Sequence, residues 1–246
     1  MKIDFSNKTV IVSGGTRGIG AALVKLFFNC NAQVIATGAD LETIEKLNAQ
    51  SEDRIKYLHL DFTSNQSVKA CISNIVKLEK IDVLINNAGV NKIDSIDKIE
   101  EDDWDWINHV NLRGPFLLTK PVSKIMKKKS QGKIVNISSI FGVVSKPKRA
   151  AYSTTKWGLI GFTKAVALDL APYNILVNAV SPGFVDTQLT RSILGEKGIK
   201  KITKTIPQKR LATVEEIAKT AVYLASDHNT YIAGQNIIVD GGFTSA

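Results

Sequence analysis

The stretch from Lys8 to Asn29 constrains the fold more than any other. Thr9-Val10-Ile11-Val12 is a short β-branched run. It is followed by Ser13-Gly14-Gly15-Thr16-Arg17-Gly18-Ile19-Gly20 and then by helically spaced apolar residues from Ala21 to Asn29. A buried strand, a glycine-rich turn and a helix, in that order, make a cradle for a phosphate. Glycine permits the turn and the close backbone approach, and the helix N-terminus offers unpaired N–H groups at the positive end of its dipole. Glycines 14, 18 and 20 follow G-x-x-x-G-x-G spacing, not the G-x-G-x-x-G of the common dinucleotide fingerprint. The loop alone reads as phosphate-binding or merely glycine-rich; its place between strand and helix favours the first.

Strand and helix patterns alternate along the rest of the chain. Strands are expected at 33–37, 57–60, 81–85, 133–137, 176–180 and 237–239, with helices at 41–50, 64–77, 104–126, 150–170 and 212–226. The helix over 104–126 is expected to break at Gly114-Pro115, and the last to start with a capping box at Thr213 and Glu216. Seven strands alternating with helices imply an α/β fold: one Rossmann-type, doubly wound parallel sheet with helices on both faces. The 246 residues then form a single dinucleotide-binding and catalytic domain. The weakly patterned, lysine-rich stretch 186–211 reads as a substrate lid.

Composition removes several classes. Two cysteines, Cys30 and Cys71, and three scattered histidines form no C-x-x-C and no Cys/His cluster, so neither a disulfide framework nor a metal site is expected. No apolar run approaches about 18 residues, and the start lacks a signal-peptide layout, so a cytoplasmic protein with no membrane contact is expected. The net charge of +9 is gathered at Lys127–Lys129, Lys146–Arg149 and Lys197–Arg210. Without interleaved aromatics or a binding motif, these clusters read as a solvated basic face that attracts an anionic cofactor or substrate, not as a nucleic-acid site.

The chemistry concentrates at Tyr152 and Lys156. Four residues apart on a helix, they share a face. A lysine cation beside a phenol favours phenolate and is expected to bring the Tyr152 pKa below its ordinary value of about 10. Ser139 precedes Tyr152 by thirteen residues. With no G-x-S-x-G and no suitably placed histidine or acid, it suits a hydrogen-bond donor better than a nucleophile. Asn111 inside a helix is either a satisfied core amide or a site residue. At the end of the second strand, Asp40 either meets a ribose or caps the following helix, and the cap is favoured. Asp61 either meets an adenine or belongs to a helix start. Uncharged Gly38-Ala39 at the ribose position, with Arg17 nearby, tips the cofactor balance toward NADP(H), with NAD(H) as the alternative.

The ordered set Gly14 to Gly20, Asp61, Asn86 to Gly89, Asn111, Ser139, Tyr152 with Lys156, Pro182-Gly183 and Asp240-Gly241-Gly242 resembles the short-chain dehydrogenase/reductase family over nearly the whole length. The resemblance implies a nicotinamide-dependent carbonyl reductase or alcohol dehydrogenase. Tyr152 exchanges a proton with the substrate oxygen, Lys156 lowers its pKa and binds ribose, Ser139 positions the carbonyl, and Asn111 holds a relay water. It further implies a cofactor held by Gly14, Thr16, Arg17, Gly18, Ile19, Gly20, Thr37, Asp61, Phe62, Asn87, Ala88, Gly89, Tyr152, Lys156, Pro182, Gly183, Val185 and Thr187. A homotetramer is implied through the helices at 104–126 and 152–170. The substrate expected is a ketone, with a 3-oxoacyl thioester on acyl carrier protein as the leading candidate. The alternatives are a sugar, polyol or other secondary alcohol and, outside the enzymes, a dinucleotide-binding sensor or scaffold. Two departures stand out. Ser13 replaces the usual Thr but keeps the hydroxyl, and Asn174 replaces a Gly where positive φ is needed.

Overall fold

The computed structural model describes residues 2–245. In chain order the elements are β1 (Thr9–Val12), α1 (Gly18–Asn29), β2 (Gln33–Gly38), α2 (Leu41–Gln50), β3 (Ile55–His59), α3 (Asn65–Ile75) and β4 (Val83–Asn86). There follow α4 (Glu101–Asn108), α5 (Gly114–Lys129), β5 (Gly132–Ile137), α6 (Ala150–Leu170), β6 (Ile175–Pro182), α7 (Gln188–Thr203), α8 (Val214–Ala225) and β7 (Asn236–Val239). All seven strands are parallel, in the order β3-β2-β1-β4-β5-β6-β7. The expected doubly wound sheet is present, and its order reverses between β1 and β4, where such sheets open a crevice at their carboxyl ends.

Strand alternation explains the two cores. Val10 and Val12 of β1 face one side, with Val34, Ala36, Val83, Ile85, Val135 and Ile137, under α1 and α8. Ile11 faces the other, with Leu84, Ile134 and Val177, under α3, α5 and α6. Both faces are covered, so the strands read as continuous apolar runs.

Three local expectations meet the structure directly. Thr213 and Glu216 form the capping box of α8, and Asn174 adopts φ +54° before β6. The expected break at Gly114-Pro115 does not occur. The helix runs from Glu101 to Lys129 through a five-residue π turn, His109–Arg113. Pro115 has no N–H to give the carbonyl four residues back, that of Asn111, and a widened turn at that point lets the chain continue. The stretch 186–211 is largely helix α7, bent at Gly195 (φ +59°, ψ 176°). Helix α7 itself buries no residue in the core, so it carries little of the apolar periodicity that makes a helix legible. Among the described residues no helix is long and apolar enough to cross a membrane.

Candidate active site

A cleft of about 930 Å³ lies at the carboxyl ends of the strands. The glycine loop forms one wall. Ser13 is buried, and its hydroxyl accepts from the N–H groups of Asn87 (3.0 Å) and Ala88 (3.1 Å). The Asn87 amide donates back to the carbonyls of Ser13 (3.0 Å) and Gly14 (2.9 Å). These bonds latch the ends of β1 and β4 together, and the retained hydroxyl is the reason Ser serves here. A Cβ on Gly20 would lie 1.9 Å from the Gly14 carbonyl oxygen. Helix α1 starts at Gly18 with no side-chain cap and no acid in its first turn, so its first N–H groups are free for an anion. That donor set and the close-packed glycines fit a dinucleotide pyrophosphate.

Gly14, Thr16, Arg17, Gly18, Ile19, Gly20, Asp61, Phe62, Asn87, Ala88, Gly89, Pro182, Gly183, Val185 and Thr187 all line this cleft. Thr37 does not. It is buried behind the loop, where its carbonyl accepts from the Gly15 N–H at 2.8 Å, and Gly38, Ala39 and Asp40 take its place on the wall. A residue inside the strand turns toward the loop it supports; only those at or beyond the strand end reach the opening. Asp40 accepts from the Thr43 N–H at 2.8 Å as the cap of α2. Hydrogen bonding from Thr43, its side chain first and then its N–H, holds the carboxyl below the usual range, so it stays ionised at the cleft edge. Asp61 accepts from the N–H and hydroxyl of Thr63 at 2.8 and 2.7 Å, and the cap of α3 is Ser64.

At the other end stand Ser139, Tyr152 and Lys156. Ser139 follows β5, and its hydroxyl accepts from the Phe141 N–H at 3.1 Å. Helix α6 carries Tyr152 and Lys156, with the lysine Nζ 5.6 Å from the tyrosine ring centre. Lys156 is only 3% exposed and donates to the Ile137 carbonyl at 3.0 Å. Burial without a carboxylate partner brings its pKa down to about 8. The expected lowering of the Tyr152 pKa is overturned. Burial pushes it up, more than the Ser139 hydroxyl and the Arg149 charge pull it down. At neutral pH the phenol is therefore protonated. Asn111 stands behind the wall, fully buried. Its Oδ1 accepts from the Val90 N–H (2.8 Å), and its Nδ2 donates to the Val90 carbonyl (2.9 Å) and the Thr155 hydroxyl (3.2 Å). It pins the chain after β4 to α6.

Several wall residues gave no signal in the sequence. Phe141 and Phe184 pack edge-to-face, ring centres 6.1 Å apart, and Phe141 meets the Tyr152 ring at 6.3 Å. Leu189 and Ile193 turn the apolar side of α7 into the cleft. Arg149, read as part of a solvated basic face, is buried and lines the wall. A charge cluster in sequence does not reveal which member folds inward.

This combination of switch-point cleft, glycine loop and Ser–Tyr–Lys constellation defines an oxidoreductase of the dinucleotide-binding type, and comparison with known proteins agrees. Residues 14–244 match the family model described as enoyl-(acyl carrier protein) reductase, and the chain belongs to the short-chain dehydrogenase/reductase family. It is 38% identical to the 3-oxoacyl-(acyl-carrier-protein) reductase FabG of Thermotoga maritima, over 96% of this chain and 97% of that protein. Against the protein of the same name from Aquifex aeolicus it is 37% identical, over 98% and 99%. A gluconate 5-dehydrogenase from Burkholderia cenocepacia, solved in complex with NADP and tartrate, superposes with a TM-score of 0.93 at 30% identity, covering 100% of this chain and 98% of that one.

Proposed function

We propose that the protein is an NADP(H)-dependent reductase of a ketone, working through Tyr152, Lys156 and Ser139. The convergence of these three side chains at one end of a cleft whose other end is the glycine loop carries this reading. A bound nicotinamide dinucleotide supplies the hydride in reduction and accepts it in the reverse direction. Tyr152 Oη gives its proton to the carbonyl oxygen, and its raised pKa keeps that proton available at neutral pH. Ser139 donates a hydrogen bond to the same oxygen as charge develops on it. Lys156 holds the ribose hydroxyls and, as a buried cation, stabilises the phenolate that remains. Asn111 is a positioning residue. Its main-chain carbonyl, which Pro115 cannot serve, holds the water that returns a proton toward Lys156.

Gly14, Thr16, Gly18, Ile19 and Gly20 hold the pyrophosphate, Asp61 and Phe62 the adenine side, and Asn87 to Gly89 the adenosine and central ribose. Pro182, Gly183, Val185 and Thr187 hold the nicotinamide end. Arg17 is exposed on the cleft edge and serves a 2′-phosphate, which favours NADP(H). The gluconate 5-dehydrogenase solved in complex with NADP supports this choice. The FabG relatives also support a 3-oxoacyl thioester as substrate, and the gluconate dehydrogenase a sugar acid. Segment 186–211 acts as the lid. Its base is tied by main-chain bonds between Phe184 and Ala212 (2.9 Å) and between Asp186 and Ala212 (2.8 Å), and α7 hinges at Gly195. Exposed Trp157 (53%) and Leu168 (78%) on α6 and Phe116 on α5 favour a homotetramer through these helices. A cytoplasmic location fits this chemistry.

Fluorescence titration with NADPH and NADH tests the cofactor assignment. Wild type is expected to prefer NADPH, and Arg17→Ala to lose about tenfold or more of that preference, the loss of one charge-assisted phosphate contact. Preference for NADH, insensitive to Arg17, would overturn it and leave Asp40 as the ribose ligand.

A further inference from the structure

Beside Tyr152 the cleft carries positive charge that the proposed chemistry does not consume. Arg149 is only 6% exposed, yet it lines the wall with Phe141, Tyr152 and Phe184. Its Nη1 donates to the Lys148 carbonyl at 3.2 Å. Its Nε is sealed from solvent and has no acceptor, and among the described residues Nη2 makes no hydrogen bond and no carboxylate pairs with the guanidinium. Lys146 adds a second cation, its Nζ 5.4 Å from the ring centres of both Phe141 and Phe184, while the Arg149 Cζ is 5.7 Å from that of Phe141. Two cations thus share one aromatic ring that packs edge-on against Tyr152.

Such an arrangement is unfavourable for folding. A buried guanidinium cannot shed its proton, and a buried donor without an acceptor is costly. Its neighbours compensate only through the weak attraction of aromatic faces. Removal of water from a cation is tolerated where an anion arrives to replace it. With Nε sealed and Nη1 used, the unbonded Nη2 is left as a charge-assisted donor for a carboxylate oxygen, and the surrounding aromatic walls suit the carbon chain of a small organic acid.

We infer that Arg149, supported by Lys146, is a subsite for a carboxylate carried by the substrate itself, so that the cleft takes oxo acids or hydroxy acids. This rests on the reading of the cleft as a carbonyl reductase and narrows its substrate class. A neutral acyl thioester places no anion beside Tyr152 and leaves Arg149 unpaired.

The test compares 2-oxobutanoate, 3-oxobutanoate and 4-oxopentanoate with their methyl esters on the full-length protein saturated with NADPH. Binding is read by calorimetry and turnover by NADPH oxidation. For at least one chain length the acid is expected to bind about tenfold or more tighter than its ester. That ratio is expected to fall toward one in Arg149→Gln and to survive in part in Arg149→Lys, which keeps charge but not the guanidinium donor. Equal or tighter binding of every ester by wild type overturns the inference without any variant. So does an acid preference that persists in Arg149→Gln. If Arg149 serves only to hold down the Tyr152 pKa, Arg149→Gln lowers turnover of acids and esters alike, moves the pH profile and leaves their ratio unchanged, which also overturns it. Failure of the underlying reading looks different: no NADPH binding, or carbonyl reduction that survives Tyr152→Phe, while calorimetry still compares acid with ester.

Discussion

At the scale of single residues, burial sets the chemistry. Lys156 is buried and Tyr152 half-buried at the same corner of the cleft, and burial penalises the charged form of each. The phenol keeps its proton and the ammonium holds its own less tightly, with a pKa of about 8. Tyr152→Phe is expected to abolish measurable turnover and leave NADPH affinity within about threefold, because one proton-transfer step is typically worth 10²–10⁴ in rate; steady-state assay beside fluorescence titration checks this. Lys156 yields a stability prediction whose sign follows from linkage. Its folded pKa is depressed, so the unfolded chain binds more protons from about pH 8 to about 10.5. The charged lysine costs on the order of 3 kcal/mol below pH 8, and that cost disappears as pH rises through the window. Without cofactor, the stability of wild type relative to Lys156→Met should therefore rise from pH 7 to pH 10. Urea melts at both values read this, and a constant gap would exclude a depressed pKa. The Tyr–Lys spacing was legible in sequence. The direction of the tyrosine shift was not, because adjacency suggests attraction while only the packed structure shows how much water each group loses.

Elements carry the site, and their ends matter more than their middles. Most of the helix and strand assignments stand because apolar periodicity and caps are local signals: α6 begins at Ala150 and ends at Leu170 as expected, and α8 starts at its Thr213 cap. Thr213→Ala is expected to lower stability by about 1 kcal/mol by chemical denaturation, the usual value of such a cap. The glycine loop gives a sharper contrast. Gly20→Ala drives a methyl into the Gly14 carbonyl and the Asn87 amide, whereas a Cβ on Gly161 of α6 meets nothing within 4 Å. The first should lose cofactor binding; in the monomer the second should be neutral or stabilise by up to about 1 kcal/mol. Helix α7 and the π turn escaped the sequence reading for different reasons. Helix α7 aims its apolar residues at a cleft instead of the core. The π turn answers a missing hydrogen-bond donor at Pro115, a demand that several backbone geometries can satisfy.

At the scale of the whole molecule, a buried amide network joins two adjacent central strands to the helices on one face of the sheet. Asn86 Nδ2 donates to Asn136 Oδ1 at 2.8 Å and to the Thr119 hydroxyl at 3.2 Å, and Asn136 Nδ2 donates to the Thr163 hydroxyl at 2.8 Å. The network ties β4 and β5 to α5 and α6, directly beneath the strand ends that bear Asn87 and Ser139. Asn136→Ala removes one hydrogen bond from each of two buried partners, Asn86 and Thr163, so a loss of about 2 kcal/mol by denaturant titration is expected. If the proposed tetramer is right, Trp157→Glu combined with Leu168→Glu should yield a smaller species by light scattering, with the fold retained by circular dichroism. These two side chains share one stripe of α6 with Gly161, so in an assembled tetramer Gly161→Ala would be felt there as well.

The sequence by itself determined the parallel doubly wound sheet, the glycine-rich turn after its first strand and the spacing of Ser139, Tyr152 and Lys156. Each rests on spacing along the chain: a period of two or of 3.6, glycines at a strand end, two side chains one helical turn apart. Only the tertiary structure decided which polar groups lost their water. It turned Thr37 inward, made a fully bonded brace of Asn111, raised the Tyr152 pKa, and buried Arg149 with an unused donor beside the reacting end. Desolvation depends on everything packed around a group, most of it far away in sequence, and it sets the cost of a charge and so the ligand that can relieve it.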